Sequence, residues 1–180
     1  MTPRLREMVD RVSPSQRSRN MARIRGANTG PERMLRSSLH RAGFRFRLHS
    51  HQLPGRPDLV LPKYSAVIFV HGCFWHRHQG CSNATMPSTR TDFWEQKLSG
   101  NHLRDVRQIC LLLKAGWRVL VVWECALKNP AIRASTTTHT LRWLRGRSRY
   151  GEVSAESKRD PSEIASYLLD GPLPDFEAYS

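Results

Sequence analysis

Residues 66–81 read AVIFVHGCFWHRHQGC, an apolar run followed directly by a polar run that is rich in cysteine and histidine. The first five positions are apolar without alternation, which is typical of a strand covered on both faces of a sheet. The sequence therefore predicts a layered α/β domain in which cysteine, histidine and aromatic side chains follow directly after a central strand.

The segments on either side of this strand have the periodicity of helices and strands. Apolar residues recur at helical spacing between Pro31 and Ala42, with a capping segment at residues 28–30 and a stop signal at Gly43. Two later helices and three further strands follow from similar patterns. The predicted order is α-β-β-β-α-β-α, a mixed sheet flanked by helices, with the elements at residues 31–42, 44–48, 58–61, 66–70, 92–115, 117–123 and 129–146.

The chain has 180 residues and a formal net charge of +14, from 29 Lys and Arg against 15 Asp and Glu. Residues 1–47 hold twelve arginines against three acidic residues, whereas residues 151–180 are predominantly acidic. Arginine forks suit phosphate groups, so nucleic acid is the leading partner. We expect a basic arm that contacts nucleic acid over residues 1–30, a globular domain over residues 31–150, and a loosely held acidic extension over residues 151–180.

The hydropathy of the chain argues against an integral membrane protein. No apolar run approaches the roughly 20 residues that span a bilayer, and the first residues include Arg4, Arg6 and Glu7 instead of an apolar signal segment. The four cysteines are unevenly spaced and accompanied by histidines, which fits a metal site in a reducing compartment better than a disulfide framework. We therefore expect a soluble cytoplasmic protein without a membrane partner.

A metal site is indicated by Cys73, His78 and Cys81, spaced as Cys-x4-His-x2-Cys, together with Cys125. Three thiols and one imidazole form a complete tetrahedral set for zinc, and a closed site of this kind is structural. The competing interpretation is that these residues are scattered free thiols and a surface histidine. Cys110 lies on an apolar helix face and is assigned to the core.

Asp58 follows Pro57 at the start of a predicted strand, and the chain returns along the next strand to His71. The Asp58 carboxylate and a backbone carbonyl near Val70 could therefore hold Mg²⁺ between them and leave room for phosphate oxygens and water. Glu32 on the first helix could hold a metal-bound water. A turn or strand-capping aspartate is the alternative for Asp58.

Two histidines, His71 and His76, flank this predicted metal and phosphate site. Imidazoles in such a position could act as general acid or base near neutral pH, and Asp105 on the long helix could orient one of them. Both could instead be ordinary loop histidines. Zinc ligation is a further competing role, although the cysteine-rich set already fills four positions.

Phe74 and Trp75 lie in a polar loop with no pattern that places them in a core. A wedge into stacked bases is one use for such a pair, and packing against the cysteine-rich loop is the other. Met21 is a similar apolar residue within the basic arm, where it could be a wedge or a docking contact.

Five separated blocks read RSRNM, LPGRPD, VIFVHGCFWH, TRTDFW and WRVLVVWEC, at residues 17–21, 53–58, 67–76, 89–94 and 117–125. Together they closely resemble the very short patch repair (Vsr) endonucleases. The resemblance implies a fold like that of type II restriction endonucleases and hydrolysis of the DNA strand that carries a mismatched thymine, on the 5′ side of that base. Such T:G mismatches arise when 5-methylcytosine deaminates.

The resemblance also implies how the metal would be used. In relatives, the aspartate at the position of Asp58 binds Mg²⁺, helped by the backbone carbonyl at the position of Val70. The residues at the positions of Glu32 and His71 act there through metal-bound water. The resemblance thus agrees with the magnesium site that the strand pattern indicates.

Further roles follow from the same resemblance. The residue matching His76 is catalytic, and the residue matching Asp105 is its partner. The aromatic residues matching Phe74 and Trp75, together with the methionine matching Met21, form a wedge in the base stack beside the mismatch. The resemblance thus implies a wedge for residues whose pattern left two interpretations open.

The implied partner is double-stranded DNA with a T:G mismatch, bound by a monomer in the bacterial cytoplasm, at the nucleoid, with mismatch-repair proteins as further partners. The implied cofactors are catalytic Mg²⁺ and structural Zn²⁺. Three alternatives stay open. A type II restriction-like nuclease would cut matched DNA, a non-catalytic zinc-stabilised module would bind DNA without cutting, and a thymine glycosylase would leave the backbone intact.

Overall fold

A computed structural model gives the structure of Gln16, Arg19 and residues 26–155. Met21 and most of the expected basic arm therefore lie outside the described residues, as does the expected extension from residue 156 onwards. Within the described part of the chain, no helix is long and apolar enough to cross a membrane.

The described chain is built around a five-stranded mixed sheet. The strands, which neighbour one another in chain order, are β1 (Arg47–Leu48), β2 (Leu59–Leu61), β3 (Ala66–His71), β4 (Arg118–Trp123) and β5 (Tyr150–Val153). β1, β2 and β3 are antiparallel, whereas β3, β4 and β5 run parallel. Ile68 pairs with Leu59 on one side and with Leu120 on the other, so β3 is the central strand that its apolar sequence predicts.

The helices within residues 26–155 are α1 (Gly30–Arg41), α2 (Thr91–Lys114), α3 (Glu124–Lys128) and α4 (Pro130–Arg145), with short 3-10 helices at Pro62–Tyr64 and Ser82–Ala84. α1 begins with a capping box, in which the Thr29 side chain accepts a hydrogen bond from the Glu32 N–H and the Glu32 carboxylate accepts one from the Thr29 N–H. Pro31 stands in the first turn, where a missing N–H costs nothing.

The helices cover both faces of the sheet. On one face, α1 and α4 pack Leu35 and Leu144 into a core that includes Ile68. On the other face, α2 packs Leu112 into a core that includes Val67. Adjacent residues of β3 thus face opposite layers, as the period of two in a strand requires. The predicted mixed sheet flanked by helices is confirmed.

The first strand is shorter than the sequence predicts. The predicted strand begins at Phe44, but the Phe44 N–H donates to the Leu39 carbonyl in the turn that ends α1. Phe44 is buried there, and only Arg47 and Leu48, both exposed, pair with β2. The alternation of aromatic residues and arginines therefore reflects a helix-to-strand turn more than a strand.

Two elements are absent from the predicted order. α3 follows β4 directly, and β5 pairs in parallel with β4 at the edge of the sheet. β5 reads YGEV, which has no apolar alternation, so its place depends on backbone pairing that leaves no periodic signal. It includes the first residues of the expected acidic extension, residues 151–153.

Candidate active site

A cleft of about 840 Å³ opens at one end of the strands, where β2 begins and β3 ends. Because these strands are antiparallel, the residue that precedes β2 meets the last residues of β3 there. The cleft is lined by all five residues predicted to be catalytic, Glu32, Asp58, His71, His76 and Asp105. The fold thus brings together residues that are spread along the sequence from Glu32 to Asp105.

Asp58 is held at the end of β3 by the backbone of Val70, whose N–H donates to Asp58 Oδ2 at 2.7 Å. Burial raises the pKa of Asp58 from 3.8 to about 6, and the charge of Glu32 acts in the same direction, while the Val70 hydrogen bond and the Arg36 charge lower it. A cation beside this carboxylate would favour its ionised form. The predicted use of the Val70 carbonyl stays a prediction, since the contact seen is made by its N–H.

Glu32 is buried at the start of α1, and its carboxylate is surrounded by hydrogen-bond donors. It accepts from the Asn28 N–H at 2.9 Å, from the Thr29 N–H at 3.2 Å and from the Thr29 hydroxyl at 2.9 Å. Arg36 Nη2 donates to Glu32 Oε2 at 2.6 Å. Glu32 therefore caps the helix as well as lining the cleft, and its predicted role toward metal-bound water stays a prediction.

The rings of His71 and His76 stack with centroids 3.9 Å apart and planes inclined by 6°. His76 Nδ1 lies 2.5 Å from Asp105 Oδ2, the pairing that the sequence predicts for one of the histidines. Burial, with the charge of His76 as a smaller cause, lowers the pKa of His71 to about 3, so this ring is neutral near pH 7. The His76 side chain is 28% exposed and is the better placed to exchange a proton with a ligand.

The four predicted zinc ligands, Cys73, His78, Cys81 and Cys125, each offer one atom within 4.8 Å of the others. Cys125 Sγ lies 3.6 Å from His78 Nδ1. The neighbouring Cys73 thiol holds the pKa of Cys125 well below that of a free thiol, and His78 acts in the same direction. Three sulfur atoms and one imidazole in this compact arrangement fit a tetrahedral metal ion. Cys110 is buried outside this cluster, as predicted.

Trp123, at the end of β4, joins the cysteine cluster to the cleft. Its ring stacks on that of His78, with centroids 4.1 Å apart, and meets that of His71 edge-on at 5.4 Å. Its indole N–H donates to Glu152 Oε2 on β5 at 2.8 Å. The cysteine cluster and His71 therefore contact the same aromatic ring, which the unpredicted strand β5 holds in place.

Phe74 and Trp75 form an aromatic cluster with Trp94 at the start of α2. The ring centroid of Phe74 lies 5.0 Å from that of Trp75 and 5.4 Å from that of Trp94, and the two tryptophans are 6.2 Å apart. Asn101 Nδ2 donates to the Trp75 carbonyl at 3.0 Å. Trp75 also lines the cleft. The cluster is half-buried, so its predicted wedge role and the alternative of loop packing are both compatible with this geometry.

Three residues at the site were not singled out by the sequence patterns. Trp94 is a large aromatic residue in a polar segment, as Phe74 is, so the same sequence signal could have identified it. Arg36 lies four residues after Glu32 on a helix, a spacing that predicts an ion pair. His49 lines the cleft from the turn after β1, where its φ is 46°, and no periodic pattern could place it.

Comparison with known proteins agrees with the five sequence blocks. The profile of the family described as DNA mismatch endonuclease Vsr matches residues 9–83. The type II nicking enzyme V.XorIIP of Xanthomonas oryzae pv. oryzae is 49% identical over 122 residues, which cover 68% of this chain and 89% of that protein. The DNA mismatch endonuclease Vsr of Escherichia coli is 48% identical over 122 residues, which cover 68% and 78%. The chain belongs to the Vsr family of DNA mismatch endonucleases.

Proposed function

We propose that this DNA endonuclease cuts the strand that carries the thymine of a T:G mismatch, on the 5′ side of that thymine. The observation that carries the proposal is that Trp75 lines the same cleft as Asp58 and His76. Stacking groups and phosphate chemistry are therefore adjacent, as an enzyme that recognises a weakly stacked base pair requires. The lesion that suits it is the T:G pair left when 5-methylcytosine deaminates.

The chemistry of the cleft suits hydrolysis of a phosphodiester with Mg²⁺. Asp58 and the backbone carbonyl of Val70 would hold the ion, which when bound would polarise the scissile phosphate. His76 moves a proton at its Nε2 atom, because its Nδ1 atom is engaged by Asp105 at 2.5 Å. His71, buried and stacked on His76, fixes the plane of that ring.

Recognition of the mismatch would fall to Phe74 and Trp75, with Met21 as a third apolar group outside the described residues. Unstacking a base step costs a few kcal/mol, and a displaced T:G wobble pair lowers that cost relative to a matched pair. Support for the wedge comes from the anchoring of both aromatic rings on Trp94, which holds them in the loop without burying them fully.

We further propose that the four-residue cysteine and histidine cluster holds Zn²⁺ as a structural ion. The cluster leaves no ligand position open, since three thiols and one imidazole complete a tetrahedral shell. It would tie the loop after β3 to the end of β4 and so support the aromatic cluster. The enzyme would act as a cytoplasmic monomer on double-stranded DNA, with mismatch-repair proteins as further partners.

The test is a cleavage assay on duplexes that differ at one pair. Oligonucleotides with T:G, C:G or T:A at the same position, each strand labelled separately, are incubated with and without Mg²⁺. We expect a single nick, 5′ of the thymine, only in the T:G duplex and only when Mg²⁺ is present. Cleavage of the matched duplexes would favour a restriction-type nuclease, and binding without cleavage would favour a non-catalytic module.

A further inference from the structure

A second group of potential metal ligands adjoins Asp58. Glu32, His49 and Asp58 each offer one ligand atom within 4.8 Å of the others. The guanidinium of Arg36 already engages two of these three residues. Its Nη2 atom lies 2.6 Å from Glu32 Oε2 and 3.1 Å from His49 Nε2. A positive group of the protein thus lies between Glu32 and His49, where an ion that bridged these two side chains would have to bind.

The position of this guanidinium is well defined by its contacts. Arg36 Nη1 donates to Asn28 Oδ1 at 2.6 Å, and the Arg36 side chain is 11% exposed. His49 Nε2 lies 3.1 Å from Arg36 Nη2 and 3.4 Å from Asn28 Oδ1, so the three side chains form one contact group. Asn28 and His49 both have positive φ, 58° and 46°, so the local backbone is shaped around these contacts.

The charge of Arg36 is permanent, since arginine is not deprotonated in proteins. A divalent ion bound between Glu32 and His49 would have to displace the guanidinium or lie within a few ångströms of it, where two positive charges repel strongly. In two-metal nucleases the second ion adds positive charge that stabilises the reacting phosphate. Arg36 can supply such charge beside Asp58 without an ion.

We propose that Arg36 takes the place of a second metal ion in this nuclease, so that the enzyme uses one divalent ion, held at Asp58. The inference rests on the proposed function, because it takes a divalent ion at Asp58 as given. Arg36 is a positioning residue in this arrangement. Its guanidinium stays in contact with Glu32 and His49, and it presents a fixed positive charge to the cleft.

The test counts bound ions independently of cleavage. Mn²⁺ is titrated into the full-length, zinc-loaded chain without DNA, and free Mn²⁺ is measured by its paramagnetic resonance signal. We expect one bound Mn²⁺ in the wild type and two in Arg36→Gln. Arg36→Gln/His49→Ala should return to one, because the double variant lacks a ligand of the second ion. Arg33→Gln, an exposed arginine of the same helix, is the matched control and should bind one.

Cleavage supplies a second readout. The Mg²⁺ dependence of single-turnover cleavage should have a Hill coefficient near one for the wild type and for Arg36→Lys, which keeps the charge, and near two for Arg36→Gln. Two Mn²⁺ bound by the wild type, or one bound by folded Arg36→Gln, would overturn the inference and leave magnesium-dependent cleavage intact. No Mn²⁺ bound by the wild type would overturn the proposed metal site as well.

Folding of each variant is checked by thermal unfolding, with Arg36→Met as a second neutral variant. If neither neutral variant folds, the number of Mn²⁺ ions bound by the wild type decides the test. One bound ion supports the inference, and two overturn it.

Discussion

The backbone N–H of Val70 donates a hydrogen bond of 2.7 Å to Asp58 Oδ2, at the end of the strands where β2 begins and β3 ends. This hydrogen bond lowers the pKa of Asp58, yet burial outweighs it and raises the pKa from 3.8 to about 6. The cleft therefore holds a carboxylate whose charge costs the folded protein free energy until a cation binds beside it.

Asp58→Asn should stabilise the protein in the absence of Mg²⁺ while abolishing cleavage. A folded pKa above the unfolded one means that the stability contributed by Asp58 is present below 3.8 and is lost as the pH rises to about 6. Asparagine removes the charge and keeps an oxygen acceptor for Val70. We expect the free energy of unfolding at neutral pH to rise by at most about 3 kcal/mol.

Urea unfolding without added Mg²⁺ checks this expectation. The gain should shrink at about pH 5, because protonation of Asp58 in the folded wild type already relieves part of the cost. A gain that does not depend on pH would mean that the substitution acts through packing. Retained cleavage in Mg²⁺ would remove Asp58 from the metal site.

Asp105→Asn should lower the rate of cleavage by about 100-fold or more and leave DNA binding unchanged, because the carboxylate orients His76 through its Nδ1 atom. The measurement is single-turnover cleavage across a range of pH, with binding measured separately. Asp92→Asn, on the first turn of the same helix, is the control for a lost negative charge. Equal rates for the two variants would show that the contact with His76 is structural.

Cys73→Ser and Cys125→Ser should each lose the bound metal ion and cooperative folding together, because the binding energy of a structural ion is folding energy. Metal content and thermal unfolding followed by circular dichroism are measured on the same samples. Cys110→Ala is the matched control, since Cys110 is equally buried but lies outside the cluster. A folded, metal-free Cys125→Ser protein that still cuts DNA would contradict the structural role.

The sequence predicts those parts of the site that depend on strand patterns. The apolar strand ends at His71, and its hairpin partner starts after Asp58, so the strand pattern by itself places these two residues at one edge of the sheet. The cysteine and histidine cluster can also be predicted from the sequence, because cysteine and histidine are typical zinc ligands and their spacing is typical of metal sites.

Other parts of the site leave no such signal. β5 is held by backbone pairing with β4, and its carboxylate Glu152 reaches Trp123 through a contact that no spacing in the sequence indicates. The group around Arg36 depends on side-chain hydrogen bonds to a turn with positive φ at His49. Local hydrogen bonding of this kind is fixed only once the tertiary fold is formed.

Gly55 precedes Asp58 by three residues and has a φ of +73°. An added Cβ there would lie 2.7 Å from Gln108 Oε1 and 3.1 Å from Gln108 Cβ. Gly55→Ala should therefore lower the free energy of unfolding by about 1–3 kcal/mol. It should also slow cleavage, because the loop that positions Asp58 must shift.

The control for Gly55→Ala is Gly100→Ala on α2, where an added Cβ meets nothing within 4 Å. Alanine in a helix should raise the free energy of unfolding by about 0.5–1 kcal/mol. Urea unfolding of both variants is the measurement. Equal stability of the two would show that the close approach to Gln108 is easily relieved.

The effect of Trp75→Ala on cleavage distinguishes a mismatch-specific enzyme from a general nuclease. If the aromatic pair is inserted beside the mismatch, discrimination is a difference in the energy needed to unstack T:G and matched steps, which amounts to a few kcal/mol. Trp75→Ala should then lower cleavage of T:G duplex by at least about tenfold, the equivalent of 1.4 kcal/mol. Salt-dependent binding to matched DNA should change little, because it comes from phosphate contacts of basic residues.

Phe93→Ala is the matched control for Trp75→Ala, because Phe93 is 42% exposed and does not line the cleft. Both variants and Phe74→Ala are compared by single-turnover cleavage and by binding at two salt concentrations. Metal content is measured each time, since Phe74 adjoins Cys73. A selective loss of T:G cleavage in Trp75→Ala, with full metal content and unchanged salt dependence, requires a group that acts on the base stack. Equal T:G cleavage by Trp75→Ala and Phe93→Ala would instead mean that the aromatic cluster packs the cysteine-rich loop, and that mismatch recognition lies with other residues.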